Sequence, residues 1–346
     1  TILLLFKLSY SATLLVPDEY DSIQSAIDAT SDGDSVLVSA GTYLENINFN
    51  SKNIALIGED RETTIIDGGQ NGSVITIPSE ADGEVSNFTI ENGNAEIGGG
   101  IYNCGRVIIS NCKIINNSAD VGGGICCACY YPFGISSITN CVISDNQAIQ
   151  GGGIQFSDSS AYINNSVISN NLAEYGGGMY TADGHQYAEN VFINNNLANF
   201  GGGIFIATGM SLESSEISNN TSNNRGGGIY ISSINTLNTS HTLIINNSSE
   251  GHGGGVFLSA GSNIYVFNST ISSNLVGEGV TFGAGIYADG GTAALINSIV
   301  YYNRREGDYG INYNLNGYTM DILNEYTVSY SDIEGEEDWI PEGEGN

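Results

Sequence analysis

Short runs of alternating aliphatic and polar residues fill most of the chain, and glycine triplets interrupt them at regular intervals. Each triplet is followed directly by an aliphatic residue, and successive triplets begin 24 to 30 residues apart. Their first glycines are Gly98, Gly122, Gly151, Gly176, Gly201, Gly226, Gly253 and Gly283, the last triplet reading Gly-Ala-Gly. The runs between triplets are rich in β-branched residues and too short for helices, which predicts strands. A repeat of this length predicts strand units stacked along one axis.

An asparagine column repeats in phase with the triplets, and each of its members stands three residues after an aliphatic residue. The column consists of Asn117, Asn146, Asn171, Asn196, Asn220, Asn247, Asn274 and Asn303. A second polar column lies six residues before the first and begins with Asn111. Asparagine tolerates left-handed backbone, and its amide can hydrogen-bond to the copy in the next coil. We therefore expect a structural ladder of asparagines inside a solenoid.

In the strand after each triplet, the first and third residues should point inward and the second outward, because side chains alternate along a strand. The outward position is aromatic in six of the eight coils, at Tyr102, Tyr180, Phe205, Tyr230, Phe257 and Tyr287. The position two residues later is small in nearly every coil. This pattern predicts an aromatic stripe beside a flat floor, which could bind sugar rings or an apolar partner. The alternative is that the stacked rings only stabilise the outside of the solenoid.

The residues just before four consecutive triplets form a further candidate binding column. They are Tyr175, Phe200, Arg225 and His252. Arg225 could stack on the neighbouring rings or meet an acidic saccharide. The alternative is an arginine that is simply solvated beside acidic residues.

For catalysis, the best candidates are Asp158 and Asp183, each five residues after a triplet and therefore expected in adjacent coils, with His185 close by. Two neighbouring carboxylates separate their pKa values and could act as acid and base in glycoside hydrolysis. The same pair could instead hold a Ca²⁺ ion, the one cofactor that the sequence suggests. Arg225 is the cation nearest to these acids in the repeat array. In a chain with 38 acidic residues, two aligned carboxylates are also expected by chance.

The composition is strongly acidic, with 8 Lys and Arg against 38 Asp and Glu and a formal net charge of -30. Such a surface repels phosphate, so nucleic acid and anionic membranes are poor partners. All six cysteines lie between Cys104 and Cys141. Cys112 and Cys141 occupy the same place in consecutive repeats, where strands lie about 4.8 Å apart, so a disulfide between them is a candidate. A zinc site is less favoured, because the cysteine spacing is unusual and no histidine lies near it.

The two ends of the chain bear on its compartment. Residues 1–12 are apolar and then small and polar, which predicts the remnant of a secretory signal peptide. No segment is long and apolar enough for a membrane span. We therefore expect residues 13–346 to form a single β-helix domain that is secreted or held at the cell surface. The abrupt, acidic carboxy-terminal end suggests a fragment.

The alternation of G-G-G-I with I-x-N-N over about residues 87–303 resembles the repeats of known β-helices. It is similar to the right-handed parallel β-helices of the pectin-lyase-like superfamily, and to the G-G-A-I and F-x-x-N repeats of the polymorphic outer-membrane protein adhesins. The resemblance implies an all-β, right-handed parallel β-helix (solenoid) with a short amino-terminal capping helix. Asp21 or Ser22 can cap such a helix, which in this superfamily covers the open end of the stack.

The resemblance leaves the chemistry open, because this fold carries lyases, hydrolases, epimerases and adhesins. The first hypothesis is an adhesin-like or polysaccharide-binding protein whose aromatic stripe contacts a polysaccharide or a surface protein. The second is a polysaccharide lyase or glycoside hydrolase for acidic polysaccharides, with Asp158, Asp183, His185 and Arg225 as its working residues. The third is a structural spacer of a larger surface protein. The cations are scattered over the repeats, which weighs against the enzyme.

Overall fold

The computed structural model of the chain is an all-β parallel solenoid of the right-handed type with about eleven coils. It describes residues 11–128, 136–157, 160–280 and 283–306 and the backbone of three further strands at 315–317, 326–329 and 332–333. A complete coil runs through sheet D, a glycine triplet, sheet C, sheet A and sheet B. Each strand pairs in parallel with its copies in the preceding and following coils. The parallel β-solenoid predicted from the sequence is confirmed.

The strands are numbered in chain order and fall into four faces. Sheet A contains Thr13–Val16 (β1), Ser35–Val38 (β2), Ile54–Gly58 (β5), Asp82–Ser86 (β8), Arg106–Ser110 (β12), Ser136–Thr139 (β16), Ala161–Asn164 (β19), His185–Glu189 (β22), Gly209–Glu213 (β26), Thr236–Ser240 (β30), Asn263–Phe267 (β34), Thr292–Ile296 (β38) and Tyr326–Ser329 (β42). Sheet B contains Gly41–Leu44 (β3), Thr64–Asp67 (β6), Thr89–Glu91 (β9), Lys113–Ile115 (β13), Val142–Ser144 (β17), Val167–Ser169 (β20), Phe192–Asn194 (β23), Glu216–Ser218 (β27), Leu243–Ile245 (β31), Thr270–Ser272 (β35), Ile299–Tyr301 (β39) and Asp332–Ile333 (β43).

The other two faces hold shorter strands. Sheet C contains Ile47–Asn48 (β4), Ile75–Ile77 (β7), Ile101–Asn103 (β11), Ile125–Ala128 (β15), Ile154–Ser157 (β18), Met179–Thr181 (β21), Ile204–Ile206 (β25), Ile229–Ile231 (β29), Val256–Leu258 (β33), Ile286–Ala288 (β37) and Leu315–Gly317 (β41). Sheet D consists of a pair, Asn94–Ile97 (β10) and Ser118–Val121 (β14), and of Leu197–Phe200 (β24), Thr221–Arg225 (β28), Ser248–Ser249 (β32), Leu275–Val276 (β36) and Arg304–Arg305 (β40).

Within the described residues there is one helix, α1 at Ile23–Ala29. Of the two caps considered from the sequence, Ser22 is the one used, because its side chain accepts a hydrogen bond from the Ser25 amide. The Glu45 carboxylate accepts from the first two amides of the helix, each at 2.9 Å, which satisfies donors that a helix start leaves open. The apolar face of α1 is buried and the helix contacts β1, β2 and β4.

Inward-facing side chains fill the interior in rows that run from coil to coil. In sheet B, Ile168, Ile193 and Ile217 are register partners and have no exposed surface. In sheet C, the first residue after each triplet is also fully buried, as at Met179 and Ile204. The alternation expected from the sequence therefore fixes which side chains enter the core.

The glycine triplets make the closest backbone contacts between coils. The first glycine has a positive φ, 65° at Gly201, where other residue types are strained. A Cβ atom on Gly202 would overlap the Thr221 carbonyl oxygen of the next coil. A Cβ atom on Gly203 would lie 3.0 Å from Nδ2 of Asn220. Glycine is favoured at the second and third positions because neighbouring backbone and the asparagine column occupy the space of a side chain, and only the last triplet has alanine, Ala284, at the second position.

The asparagine column forms a buried hydrogen-bonded chain. Nδ2 of Asn196 donates to Oδ1 of Asn220 at 3.0 Å and to the Ile168 carbonyl oxygen at 2.9 Å. Oδ1 of Asn196 accepts from the backbone amide of Asn171 at 2.9 Å and from its Nδ2 at 3.0 Å. The amide-to-amide bond repeats along the whole column from Asn117 to Asn303, and every member is at most 1% exposed.

Left-handed backbone belongs to a different set of asparagines than the ladder. The residues that precede ladder members have positive φ, with 56° at Asn170 and 55° at Asn195. The second polar column is itself left-handed, with φ from 49° to 55°, and its exposed amides also pair, as Asn140 Nδ2 does with Asn111 Oδ1 at 3.0 Å. Asparagine thus serves both turn geometry and amide pairing in the exposed column, and amide pairing alone in the buried one.

Replacing Asn196 with alanine should destabilise the solenoid, because two buried donors of Asn171 would lose their acceptor. We expect a loss of about 3 kcal/mol in unfolding free energy, since an unsatisfied buried donor costs about 1–3 kcal/mol. Urea denaturation with peptide-resolved hydrogen exchange would locate the loss in the coils around the substitution. Asn199→Ala, at an exposed amide, is the control and should change stability by less than about 0.5 kcal/mol. Equal effects of both substitutions would contradict a structural role for the ladder.

Candidate functional site

The outward residues of sheet C form a stack of five aromatic rings. The stack runs through Tyr180, Phe205, Tyr230, Phe257 and Tyr287, which are register partners. Neighbouring ring centroids are 4.7 to 5.5 Å apart, with interplanar angles of 6° to 23°. Tyr102 shares the row but is separated from the stack by Cys126 and Gln155. Each inner ring therefore has both of its faces against other rings.

The column before the triplets packs against this stack, one coil out of step. Tyr175 meets Phe205 edge to face at 5.6 Å, and Phe200 meets Tyr230 in the same way at 5.8 Å. In the next two coils, the Arg225 guanidinium carbon lies 5.0 Å from the centre of the Phe257 ring, and His252 stacks on Tyr287 at 4.2 Å. Four consecutive members of this column thus cover four consecutive rings of the stack.

Mutual stacking and this covering column bury the stack. Phe257 is 1% exposed, Tyr287 7% and Phe205 9%, while Tyr180 and Tyr230 are half-buried. A pyranose packs its C–H groups on an aromatic face, and here the faces are already occupied. The stripe points outward as expected, but it differs from the open platform for sugar rings that the sequence suggested.

The row of small residues beside the stack gives the remaining surface of sheet C. Its members include Ser157, Ala182, Ala207, Ser232 and Ser259, all half-buried. The Ser259 hydroxyl hydrogen-bonds the Tyr230 hydroxyl at 2.9 Å, and burial raises the pKa of Tyr180. This surface presents ring edges and hydroxyls.

Among the predicted catalytic residues that the structure describes, Arg225 lies on a different face from Asp183 and His185. Asp183 is exposed in the turn between sheet C and sheet A, and His185 begins the sheet A strand β22. Arg225 ends the sheet D strand β28, on the opposite edge of sheet C and two triplets later. Burial lowers the pKa of His185, whose Nε2 lies 2.9 Å from the Ser211 hydroxyl. Asp158 lies outside the described residues, so its pairing with Asp183 stays a prediction.

The metal and disulfide hypotheses have different outcomes. Across the described part of the chain, no group of three or more His, Cys, Asp or Glu is placed to hold a metal ion, and the Ca²⁺ pair includes the undescribed Asp158. Cys112 and Cys141 are stacked neighbours as expected, but both are free thiols rather than a disulfide. Their S–H groups lie 3.2 and 3.3 Å from the carbonyl oxygens of Ser110 and Thr139.

A groove on the outside of sheet A is a candidate site that sequence reasoning missed. It is a cavity of about 360 Å³. Its walls are Tyr162 and Tyr187 at one end and Phe267 at the other, and small polar residues lie between them. The floor is formed by Ser211, Asn238 and Ser240, which belong to the outward rows of two intervening strands. Tyr187 and Phe267 stand three strand spacings apart, about 14 Å along the solenoid axis.

The groove combines an accessible aromatic ring with hydrogen-bonding groups. Tyr187 is 46% exposed, and its partner in the next coil is the small Ser211, so no side chain from that coil stacks on it. The Tyr162 hydroxyl donates to the Glu189 carboxylate, which raises the pKa of Tyr162. Glu213 stands beside Glu189 in the next coil. Hydroxyl, amide and carboxylate groups therefore surround a partly exposed ring, which the His185 ring contacts at 4.7 Å between centroids.

The signal for this groove exists in the sequence but is irregular. The outward row of sheet A reads Tyr162, Tyr187, Ser211, Asn238 and Tyr265 in successive coils. A depression arises where two small residues interrupt bulky ones, and only a known register reveals it. The uniform aromatic row of sheet C was easier to find, but its rings cover one another.

Comparison with known proteins supports the fold. A sequence search finds no match among curated proteins. The family model of the Chlamydia polymorphic membrane protein repeat matches residues 214–232. That stretch contains the left-handed corner at Ser214, the ladder residue Asn220 and the triplet that begins at Gly226. The match therefore falls on the unit that packs one coil on the next.

Solved β-helices are similar to the chain at low identity. The PL6 family alginate lyase AlyGC matches with a TM-score of 0.52 and 14% identity, over 96% of this chain and 53% of its own. The A-module of the mannuronan C-5 epimerase AlgE6 of Azotobacter vinelandii gives 0.47 and 12%, over 91% and 95%. The pectate lyase Pel9A gives 0.35 and 11%, over 95% and 78%. The resemblance to pectin-lyase-like β-helices is confirmed at the level of fold, and the chain spans about half the length of the alginate lyase.

A search of the described residues for an apolar helix long enough to span a membrane finds none.

Phe257→Ala should lower stability, because the ring is buried between two others and beneath Arg225. We expect a loss of about 3 kcal/mol, typical of a buried phenylalanine replaced by alanine. Thermal and urea unfolding would measure it, with Tyr187→Ala as an exposed aromatic control that should cost less than about 1 kcal/mol. A Phe257→Ala protein as stable as the parent would show that the stack is not a structural element.

Proposed function

We propose that the protein is a secreted or cell-surface, adhesin-like β-helix that binds polysaccharide in the groove of sheet A without chemical turnover. The observation that carries the proposal is the exposed Tyr187 ring beside a floor of Ser211 and Asn238. We also propose that α1 caps the amino-terminal end of the stack, where it would shield strand edges from other chains.

The groove matches the chemistry of a saccharide. The C–H face of a pyranose can pack on the Tyr187 ring, while its hydroxyls exchange hydrogen bonds with Ser211 and Asn238. The groove extends about 14 Å along the solenoid axis between Tyr187 and Phe267, a length that suits a short stretch of saccharide chain. The similarity of residues 214–232 to a polymorphic membrane protein repeat supports a surface location.

Binding is favoured over catalysis by the placement of the candidate residues. Asp183 follows sheet C and Arg225 precedes it two triplets later, so the two lie on opposite edges of that sheet. A polysaccharide lyase or glycoside hydrolase for acidic polysaccharide remains the alternative outcome of the experiment below. A spacer of a larger surface protein is the outcome if neither binding nor turnover occurs.

Tyr187→Ala should weaken oligosaccharide binding about tenfold, because a lost aromatic contact is worth about 1.4 kcal/mol. Glycan-array screening followed by isothermal titration calorimetry with the full chain would measure the change. Tyr301→Ala, a control at 49% exposure on sheet B, should bind like the parent. Phe257→Ala should also retain affinity at a temperature where it is folded.

Three results would contradict the proposal. Binding unaffected by Tyr187→Ala would move the site away from the groove. Release of products from polysaccharide would establish an enzyme. Absence of binding to any glycan on the array would leave a structural spacer of a larger surface protein as the remaining hypothesis.

A further inference from the structure

The groove carries two carboxylates and no positive charge to balance them. Glu189 and Glu213 are register partners in adjacent coils, and both line the cavity. The Tyr162 hydroxyl donates to Glu189, and both carboxylates contribute to raising the pKa of Tyr162. The two acids therefore act on the same small volume, which also contains the exposed ring of Tyr187.

None of the cations of the described chain lines the groove, and they make their contacts elsewhere. Arg106 pairs with Asp82, and Lys113 pairs with Glu62. Lys52 donates to three carbonyl oxygens at the end of α1. The remaining ones are Arg61 beside Glu62, Arg225 over Phe257, Arg304 over Tyr302, and Arg305 in sheet D.

Histidine does not supply a positive charge to the groove either. Neither of the two histidines beside the groove is among its lining residues: His185 lies next to Tyr187, with ring centroids 4.7 Å apart, and His241 follows the lining residue Ser240. Burial lowers the pKa of His185, so its neutral form predominates at neutral pH. The lining of the groove is therefore negative overall at pH 7.

We propose that this groove selects glycans that carry free amino groups and rejects polyuronates. The inference rests on the proposed function, because it specifies which saccharide the sheet A groove binds. An ammonium group placed near Glu189 and Glu213 gains attraction from both carboxylates. A uronate residue in the same place meets two like charges without a compensating cation.

Calorimetric titration of the full chain with three hexasaccharides of equal length tests the selection. The probes are a glucosamine hexamer, its fully N-acetylated form and a hexauronate, measured at pH 6 and low ionic strength. We expect the glucosamine hexamer to bind about tenfold more tightly than the neutral hexamer, and the hexauronate to bind more weakly than either. The preference should shrink as salt is added, because exposed charges are screened.

Removing the two carboxylate charges tests whether they cause the preference for amino groups. The double variant Glu189→Gln with Glu213→Gln should lose about tenfold affinity for the glucosamine hexamer and less than about twofold for the N-acetylated one. Glu216→Gln is the matched control, since it lies on sheet B in the same coil as Glu213 and should change neither affinity. Circular dichroism would verify that the variants are folded.

The outcomes separate the two proposals. Equal or tighter binding of the hexauronate, or equal losses for both glucosamine forms in the double variant, would overturn the selection while the groove remains a binding site. If none of the three hexamers bound, or if binding did not respond to Tyr187→Ala, the proposed function itself would be wrong.

Discussion

The need to satisfy buried amides fixes the coil-to-coil register on which the rest of the structure depends. A ladder asparagine such as Asn196 has no exposed route to water, and its donors and acceptor are satisfied only by the backbone and by the asparagines of neighbouring coils. A shift of one residue would leave several polar groups unpaired in the interior, each at a cost of about 1–3 kcal/mol. The third glycine of each triplet packs on this ladder, as Gly203 does on Asn220. Triplet and asparagine are therefore one packing unit, although they lie far apart in sequence.

A fixed register turns residues of equal phase into continuous rows, and the composition of a row decides what it can do. In sheet C the row from Tyr180 to Tyr287 is uniformly aromatic, so its rings stack on one another and are buried or half-buried. In sheet A the bulky residues stop at Tyr187 and the next two positions are Ser211 and Asn238. Interruption of a row, rather than repetition, produces a concave surface with a partly exposed ring. For this solenoid, regularity stabilises the fold, and irregularity forms the groove that we propose as the binding site.

The parts of the structure that could be predicted from the sequence are those set by local periodicity. The triplets, the ladder phase and the inward position of Ile204 depend on residues whose spacing repeats, so the solenoid and the direction of each side chain could be derived. The exposure of the aromatic rings could not be derived from the sequence. Phe257 is covered by Arg225 from the preceding coil, and this contact depends on the conformation of a long side chain. The separation of Asp183 from Arg225 depends on the edge of sheet C at which each residue lies. That edge can be assigned only when the order of the four faces along a coil is known. The groove can be located only when the register of sheet A is known, because the outward residues of that sheet do not repeat in composition from coil to coil.

Like charges in one row are costly in a parallel stack, because register partners lie about 4.8 Å apart. Sheet B shows the effect at Glu91, whose pKa is raised by burial and by the neighbouring Asp67 carboxylate. There the amide of Asn92 donates to Asp67 and offsets part of the repulsion. In the groove, the Tyr162 hydroxyl donates a hydrogen bond to Glu189 and likewise offsets part of the repulsion, while the Glu213 side chain is exposed to solvent. A positively charged ligand would remove the remaining repulsion when it binds, so the electrostatic cost carried by the free groove becomes part of the driving force for association.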